Sequence, residues 1–157
     1  MFPTLEPFRL GLTNLAHRPT RRSEQLSLSE QLEGVPDLVR KVRRYRPRIV
    51  CFVGKQIAQM FLRGLRGHLG ERTTVMLPTG VLGHWTDAGP DVGYGVMNAC
   101  IEHDDGSTTL FFAAPSTSAR VTHHQLPDKI RIMRHITTIL TTRSDQPVAV
   151  QRITGID

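Results

Sequence analysis

The sequence predicts an α/β fold, and three observations favour this class. The continuous apolar run 49–53 is typical of a strand that is covered on both faces, and a glycine turn after it leads into a short amphipathic helix. The pattern Ser-Leu-Ser-Glu at 27–30 has the spacing of a capping box and predicts another helix. Two β-rich runs, 94–103 and 107–113, flank an Asp-Gly pair that favours a tight hairpin. A strand, a glycine turn and a helix in succession form one α/β unit.

The N-terminal third predicts a strand, a loop and a long helix. Residues 9–15 alternate in the manner of a strand and lead into the polar run 17–23. Gly34 and Pro36 should kink or break the helix that follows, because glycine weakens a helix and proline lacks an amide and clashes with the preceding turn. The apolar stripe that should face the core consists of Leu28, Leu32, Val35, Val39, Val42 and Tyr45.

Basic residues are concentrated at the end of this helix. They complement the negative end of the helix dipole, and they could equally contact DNA phosphate; a solvated face is the more common outcome. The net charge of +6 and the pI of about 10.1 favour an acidic partner, nucleic acid first, with solubility alone as the alternative. The basic residues are Arg40, Lys41, Arg43, Arg44, Arg46 and Arg48.

Beyond the buried strand, the pattern predicts a helix, the hairpin and a last helix. The first of these helices should turn Ile57, Met60 and Phe61 inward. The stretch 63–91 is rich in Gly, Pro and Thr, with a strand predicted at 74–77. The last helix opens at Pro-Asp, and its inward residues should be Ile130, Met133, Ile136, Ile139 and Leu140.

Composition predicts one domain over residues 1–143 and a C-terminal tail over 144–157. With 39% hydrophobic residues the chain can bury one core. The apolar run 49–53 is far shorter than the roughly 20 residues of a membrane-spanning helix, so no membrane association is expected. Cys51 and Cys100 lie in apolar runs and are interpreted as buried thiols of a reducing compartment, since the N-terminus lacks the features of a secretory signal.

Several other kinds of site are not indicated by the sequence. Neither His123-His124 nor the run 103–105 has the spacing of metal ligands. No serine occupies the Gly-x-Ser-x-Gly turn of a nucleophile elbow. The glycines within 64–70 do not form the dinucleotide-binding pattern. We therefore expect neither a metal nor a cofactor.

Several sequence blocks follow one another in an order and spacing that are known from one protein family. Residues 11–20, Gly-Leu-Thr-Asn-Leu-Ala-His-Arg-Pro-Thr, precede a Leu-Ser-capped helix. Tyr-Arg-Pro-Arg-Ile-Val at 45–50 and Gly-Lys at 54–55 form a turn, a buried strand and a second turn. Residues 114–120 read Ala-Pro-Ser-Thr-Ser-Ala-Arg. In these blocks the chain resembles the mismatch-specific uracil/thymine-DNA glycosylases from about residue 10 to about residue 140, most weakly between 63 and 91.

The resemblance implies a three-layer uracil-DNA glycosylase-like fold with a mainly parallel sheet flanked by helices. It implies base-excision repair, in which uracil or thymine in a G·U or G·T mismatch is flipped out and its N-glycosidic bond is hydrolysed. The implied partner is double-stranded DNA with a mismatched or damaged pyrimidine, and no cofactor is implied. The implied location is the nucleus if the source is eukaryotic and the cytoplasm otherwise.

By resemblance, Asn14 would line the base pocket, where its amide can both donate to and accept from a flipped pyrimidine, and Thr20 would help position the attacking water. Arg120 would enter the duplex beside the widowed base, and Lys55 could contact a phosphate. The local alternatives are a strand end for Asn14, a loop cap for Thr20, a solvated helix start for Lys55 and a surface turn for the loop. The loop residues expected to hold the DNA strand are Ser116, Thr117, Ser118 and Ala119.

The family's first block, Gly-Ile-Asn-Pro-Gly, supplies its catalytic asparagine and is absent from the sequence. Residues 1–9 are too few to contain it, so we expect an N-terminally truncated glycosylase that lacks the family's first strand and is inactive in this form. A neighbouring strand should then carry unpaired backbone groups, which lowers stability. We favour a true start upstream of Met1 over a short chain that binds without cutting. The alternative function is that of a non-catalytic DNA-binding α/β domain.

Overall fold

The computed structural model describes residues 10–22, 25–69, 94–118 and 124–141, and these residues form helices and strands. The strand predicted at 74–77 and the tail predicted over 144–157 lie outside these residues. In chain order, the elements are helix α1 (Leu28–Tyr45), strand β1 (Ile49–Val53), helix α2 (Lys55–Leu69), strand β2 (Gly95–Glu102), strand β3 (Thr108–Ala114) and helix α3 (Leu126–Thr141).

The three described strands lie in the order β1-β3-β2 across one sheet. Strands β1 and β3 are parallel and pair residues 49–53 with 110–114, whereas β2 and β3 are antiparallel. The hairpin between β2 and β3 turns at Gly106, whose φ of 77° suits glycine, and the His103 amide donates to the Ser107 carbonyl at 2.8 Å. The predicted hairpin and its Asp-Gly turn are therefore confirmed.

Helices cover both faces of this sheet. Helices α1 and α2 pack on one face, where the rings of Phe61 and Phe111 lie 4.6 Å apart between centroids. Helix α3 covers the other face, where Ile132 and Phe112 belong to one buried cluster. Neighbouring residues of a strand point to opposite faces, so β3 contributes Phe111 to one layer and Phe112 to the other. The three-layer α/β fold expected from the sequence is confirmed.

Helix α1 runs from Leu28 to Tyr45 without the break predicted at Gly34 and Pro36. Gly34 is buried because the main chain of Leu15 packs directly against it, so that a β-carbon at position 34 would lie 1.6 Å from the Leu15 carbonyl oxygen. The glycine that weakens an isolated helix is thus the residue that permits this close approach. Packing against the segment 10–22 offsets the low helix propensity.

The strand predicted at 9–15 is wrong for the residues that the structure describes. Residues 10–20 carry no strand, and the side chains of Leu10 and Leu12 are 53% and 70% exposed. The segment instead lies along α1, where Leu15 packs against the core. An alternating pattern forms a strand only where a sheet edge is available to pair with it. Residues 10–20 contact helix α1 instead.

The inward faces of the helices differ in part from the predicted ones. Between residues 55 and 65 of α2 the buried apolar side chains are Ala58, Phe61 and Leu65, whereas Ile57 is exposed. In α3, Ile132 is buried and Ile136 and Ile139 pack beside it, whereas the predicted Ile130, Met133 and Leu140 are exposed, as are Leu28 and Tyr45 at the ends of α1. A helix with apolar residues on more than one side does not itself specify which side meets the sheet.

Candidate functional site

The parallel strands β1 and β3 end side by side, and the loops that follow them lie next to each other. We call this side of the sheet, formed by residues 53–55 and 114–118, the carboxyl edge. The Gly54 amide donates to the Ala114 carbonyl at 2.8 Å, which joins the two loops at their start. The φ of Gly54 is 128°, a backbone conformation that favours glycine. Ligands of α/β proteins typically bind at this edge, because loops from several strands converge there.

The loop after β3 is short and built from small residues. Pro115 is buried, Ser116 is half-buried, and Thr117 and Ser118 are exposed. The Ser118 amide donates to the Ser116 hydroxyl at 3.2 Å, a local bond that shapes the turn. The predicted binding residues Ala119 and Arg120 lie outside the described residues.

Helix α3 meets the far end of this loop. The Lys129 ammonium donates to the Ser118 carbonyl at 3.1 Å. An open depression of about 640 Å³ runs along this side of α3. Its lining consists of Thr117, Gln125, Leu126, Lys129, Ile130, Met133, Arg134 and Thr137. Lys129 cannot be recognised as a site residue from the sequence, because its contact spans eleven positions across a loop and leaves no local pattern.

Lys55 is the first residue of α2 and is half-buried at the carboxyl edge. The first turn of α2 contains no acidic residue, so the partial positive charge of the helix N-terminus is not opposed there by a carboxylate of the helix. A cation and free amide groups at a helix start form an environment that suits phosphate. The hydrogen bond between Gly54 and Ala114 thus places Lys55 beside the loop 115–118.

The segment 10–22 carries Asn14 and Thr20 and is held along α1 by polar contacts at several points. The Lys41 ammonium donates to the Thr13 hydroxyl at 3.2 Å. His17 Nε2 lies 2.8 Å from an Asp37 carboxylate oxygen. Arg18 forms a bidentate pair with Glu30, with Nε 2.6 Å from one carboxylate oxygen, and also donates to the Gln25 carbonyl at 2.8 Å.

Glu30 joins the segment to the start of α1. Its carboxylate accepts hydrogen bonds from the Ser27 amide and hydroxyl, each at 2.8 Å, and the Ser27 hydroxyl in turn accepts from the Glu30 amide. This is the capping box that the sequence predicts, and it is confirmed. The hydrogen bond from Arg18 and those from Ser27 lower the pKa of Glu30 to about 2. One carboxylate therefore both caps the helix and anchors the segment that precedes it.

Asn14 and Thr20 occupy different surroundings on this segment. Asn14 is exposed, and its side-chain amide forms no hydrogen bond within the described ranges, whereas Thr20 is half-buried. The contacts given above tie their segment to α1, and they tie the loop 115–118 to β1, α2 and α3. The predicted site residues thus fall into two groups, one along α1 and one at the carboxyl edge.

The basic residues at the end of α1 lie on the opposite side of the sheet, which we call the amino edge and define by residues 46–49 and 103–110. Arg46 pairs with Asp105 at 2.6 Å, and Arg48 donates to the Leu140 carbonyl at 2.8 Å. Arg40 pairs with Asp37 within α1. Several of the basic residues at 40–48, for which a solvated face or a phosphate contact was expected, therefore have partners within the protein. Arg44 lies over the exposed Tyr45 ring, 5.4 Å from its centroid.

Other site types receive no support in the described ranges. Among those residues, no three His, Cys, Asp or Glu side chains converge in a way that could hold a metal ion. None of the described helices is both long and apolar enough to cross a lipid bilayer. The thiols of Cys51 and Cys100 are free, and burial raises their pKa to about 11 and about 12. Both therefore stay protonated near neutral pH and are poor nucleophiles.

Comparison with known proteins gives a family match over most of the chain. Residues 4–137 match the model of the uracil DNA glycosylase superfamily. A G/U mismatch-specific uracil DNA glycosylase of Schizosaccharomyces pombe is 37% identical to this chain over 67 residues. That segment covers 42% of this chain and 21% of the length of that relative. The family match includes α1, α2, the whole described sheet and most of α3.

Proposed function

The chain belongs to the uracil-DNA glycosylase superfamily, and from that premise we propose that it serves DNA repair on uracil or thymine in G·U and G·T mismatches. The proposed substrate is double-stranded DNA with a mismatched or damaged pyrimidine. The proposed reaction of the family site is hydrolysis of the bond between base and sugar after the base leaves the stack. The proposed location is the nucleus in a eukaryotic source and the cytoplasm otherwise.

The hydrogen bond between Gly54 and Ala114 is the observation that most supports this proposal. It holds the cationic start of α2 beside the small-residue loop that follows β3, so two elements that can hold phosphate are adjacent. Extrusion of a base costs on the order of a few kcal/mol, so an enzyme that flips bases must grip the strand near the lesion. A paired loop and helix start at one sheet edge suit that task.

Each site residue has a proposed role. Asn14 contacts the edge of the flipped pyrimidine, for which an exposed amide with both a donor and an acceptor is suited. Thr20 helps to position water. Arg120 fills the gap that the base leaves in the duplex, and Lys55 contacts a phosphate. The residues proposed to hold the strand before Arg120 are Ser116, Thr117, Ser118 and Ala119.

The sequence contains no Gly-Ile-Asn-Pro-Gly block, and no described residue is a clear substitute for its asparagine. We therefore propose that a protein of these 157 residues binds mismatched DNA without excising the base. The amide of Asn14 lies on a different segment from the one that the family uses to orient water. We thus assign recognition of the base and binding of the DNA strand to this chain. We do not assign hydrolysis of the N-glycosidic bond to it.

A base-release assay and a binding assay on the same duplexes test this proposal. The purified chain is incubated with duplexes that contain G·U, G·T or G·C at one position, and released base is measured together with equilibrium binding. We expect tighter binding to G·U and G·T than to G·C, without release. Robust release would contradict the assignment of the chemical step, and equal affinity for the three duplexes would contradict the pocket.

The second candidate is a non-catalytic α/β domain that binds DNA through its positive charge without regard to a mismatch, favoured by the net charge of +6 and the missing block. Arg120→Ala separates the two candidates. If Arg120 enters the duplex, its loss weakens binding to mismatched DNA more than to matched DNA; if it only contacts phosphate, both affinities fall equally. The control is Arg44→Ala, which removes the same charge from an exposed position at the end of α1.

A further inference from the structure

The first turn of α3 is held in place by hydrogen bonds at the start of the helix. The Gln125 amide donates to the Asp128 carboxylate at 3.1 Å, which satisfies one of the amides that a helix start leaves free. The Lys129 amide then donates to the Gln125 carbonyl at 3.0 Å, so the helical bonding begins at once. The backbone of Lys129 therefore belongs to a capped helix whose later turns are buried through Ile132.

Lys129 reaches from this support to the loop after β3. Its ammonium donates to the Ser118 carbonyl at 3.1 Å, and the Ser118 amide donates to the Ser116 hydroxyl at 3.2 Å. At its other end the loop is joined to β1 through the Ala114 carbonyl and the Gly54 amide. Residues 115–118 are thus held by a hydrogen bond at each end, at the Ala114 carbonyl and at the Ser118 carbonyl.

We propose that Lys129 is a positioning residue, whose ammonium holds the Ser118 carbonyl so that Ser116, Thr117 and Ser118 meet DNA in a fixed arrangement. This inference rests on the proposed function, because it assigns Lys129 a part in the grip of the loop on mismatched DNA.

The physical reason lies in the freedom of the loop. A hydrogen bond from an ammonium to a carbonyl is charge-assisted and stronger than one between neutral groups. Without it, the Ser118 end of the loop gains conformations in free protein, and binding must restrict them again. Loss of the bond therefore weakens the tight complex with mismatched DNA and leaves loose binding to matched DNA nearly unchanged.

A direct contact between Lys129 and phosphate is the competing explanation, and salt dependence separates the two. Removal of one phosphate contact lowers the slope of log affinity against log salt concentration by about one, whatever the sequence of the duplex. Removal of a residue that only orients the loop leaves that slope unchanged. The preference for mismatched over matched duplex changes only in the second case.

The experiment compares the whole chain with three variants. Lys129→Met removes the ammonium, Lys129→Arg retains a cationic donor, and Arg134→Met removes a charge one turn further along the same depression without a contact to Ser118. Binding to G·T and G·C duplexes is measured at several salt concentrations. Amide hydrogen exchange of residues 116–118 is measured in the absence of DNA, and thermal unfolding verifies that each variant folds.

We expect Lys129→Met to bind the G·T duplex about fivefold more weakly, with an unchanged salt slope and faster exchange at Ser118. Lys129→Arg should restore most of the affinity, and Arg134→Met should keep the preference for the mismatch. A slope lowered by about one with an unchanged preference would overturn the inference in favour of a phosphate contact. Wild-type exchange at Ser118 in Lys129→Met would overturn it directly.

Failure of the proposed function gives a different result. If the wild-type chain shows no preference for mismatched DNA, the proposed binding of mismatches fails, whereas the exchange measurement still decides whether Lys129 holds the loop. If the wild-type chain prefers the mismatch and Lys129→Met does so equally, only the role of Lys129 is wrong.

Discussion

At the amino edge of the sheet, side chains of opposite charge pair with each other, whereas at the carboxyl edge the Gly54 amide and the Lys129 ammonium both donate to backbone carbonyls of the loop after β3. At the first edge, Arg46 pairs with Asp105, and the buried Thr109 hydroxyl donates to the Pro47 carbonyl. At the second, the Gly54 amide meets the Ala114 carbonyl. Two arginines of the dense basic run in the sequence, Arg46 and Arg48, therefore have partners within the protein.

The difference also separates stability from binding. Interactions at the amino edge connect α1, the hairpin and α3, so their loss should lower the free energy of unfolding. Interactions at the carboxyl edge set the direction of short loops, so their loss should change affinity for DNA more than stability. Three comparisons of variants test this division, and a change of pH tests the anchor of the segment 10–22 on α1.

The largest expected effect on stability comes from Thr109→Val at the amino edge. Thr109 is fully buried, and its hydroxyl bonds to the Pro47 carbonyl and to His103 Nε2, so valine leaves two polar groups without a partner. We expect a loss of about 2 kcal/mol in the free energy of unfolding, with DNA affinity of the folded protein retained. Urea unfolding measures the loss, and Thr108→Val, at a half-buried neighbouring position, is the control. If Thr109→Val lost affinity for DNA but kept its free energy of unfolding, the division between the two edges would be wrong.

Gly54→Ala at the carboxyl edge should have a smaller effect on stability and a larger one on binding. A β-carbon at this position meets no atom within 4 Å, so the cost arises from the positive φ of 128° alone. We expect about 1 kcal/mol of destabilisation together with weaker binding to mismatched DNA, because the turn between β1 and Lys55 must shift. Gly106→Ala, at a φ of 77° in the hairpin turn, has the same kind of strain and no contact with the carboxyl edge. Equal losses of affinity in both variants would show that strain alone, and not its place, affects binding.

A comparison of Lys55→Ala with Arg44→Ala tests where phosphate is bound. Both variants lose one positive charge, the first at the carboxyl edge and the second at the end of α1. We expect Lys55→Ala to reduce the salt slope of DNA binding by about one and Arg44→Ala to leave it nearly unchanged. The measurement is affinity at several salt concentrations. A slope that is reduced in Arg44→Ala and unchanged in Lys55→Ala would indicate that DNA binds at the end of α1.

The smallest effect is a local one at low pH. The folded pKa of Glu30 is about 2, below its ordinary 4.5, so its contribution to stability is fully present above about pH 4.5 and is lost as the pH falls towards 2. In that window, the contacts of Glu30 with Arg18 and Ser27 weaken, and the segment 10–22 should loosen from α1 before the sheet unfolds. Hydrogen-exchange rates of the backbone amides of residues 14–20, followed between pH 5 and 2.5, measure this loosening of the segment. Glu30→Gln should show the loosened state at neutral pH, and identical rates in both proteins would contradict the anchor.

Local patterns in the sequence predicted the parts of the fold that depend on near neighbours. The apolar run of β1, the capping box at Ser27 and the Asp-Gly turn of the hairpin each need only residues within a few positions. The membership of the chain in its superfamily could also be recognised from blocks of residues, and the family match confirms it. The roles of Asn14, Thr20 and Arg120 remain predictions.

Other features could not be predicted, because they depend on which distant surfaces meet. Gly34 weakens a helix by its own propensity, and only the main chain of Leu15 packed against it explains why α1 continues. The choice of Ile132 over Ile130 and Met133 as the buried residue of α3 follows from the direction in which the sheet meets the helix.

By itself, the sequence determined the class of fold, the start of α1 and the turn of the hairpin, since local hydrogen bonding and backbone conformation are encoded by adjacent residues. The tertiary structure alone decided that Arg46 and Arg48, which follow α1, bond within the protein and that Lys129 reaches the loop of Ser118. Contacts of this kind join residues that are far apart in the chain. Their partners are fixed only when the burial of apolar side chains has set the distance between helices and sheet.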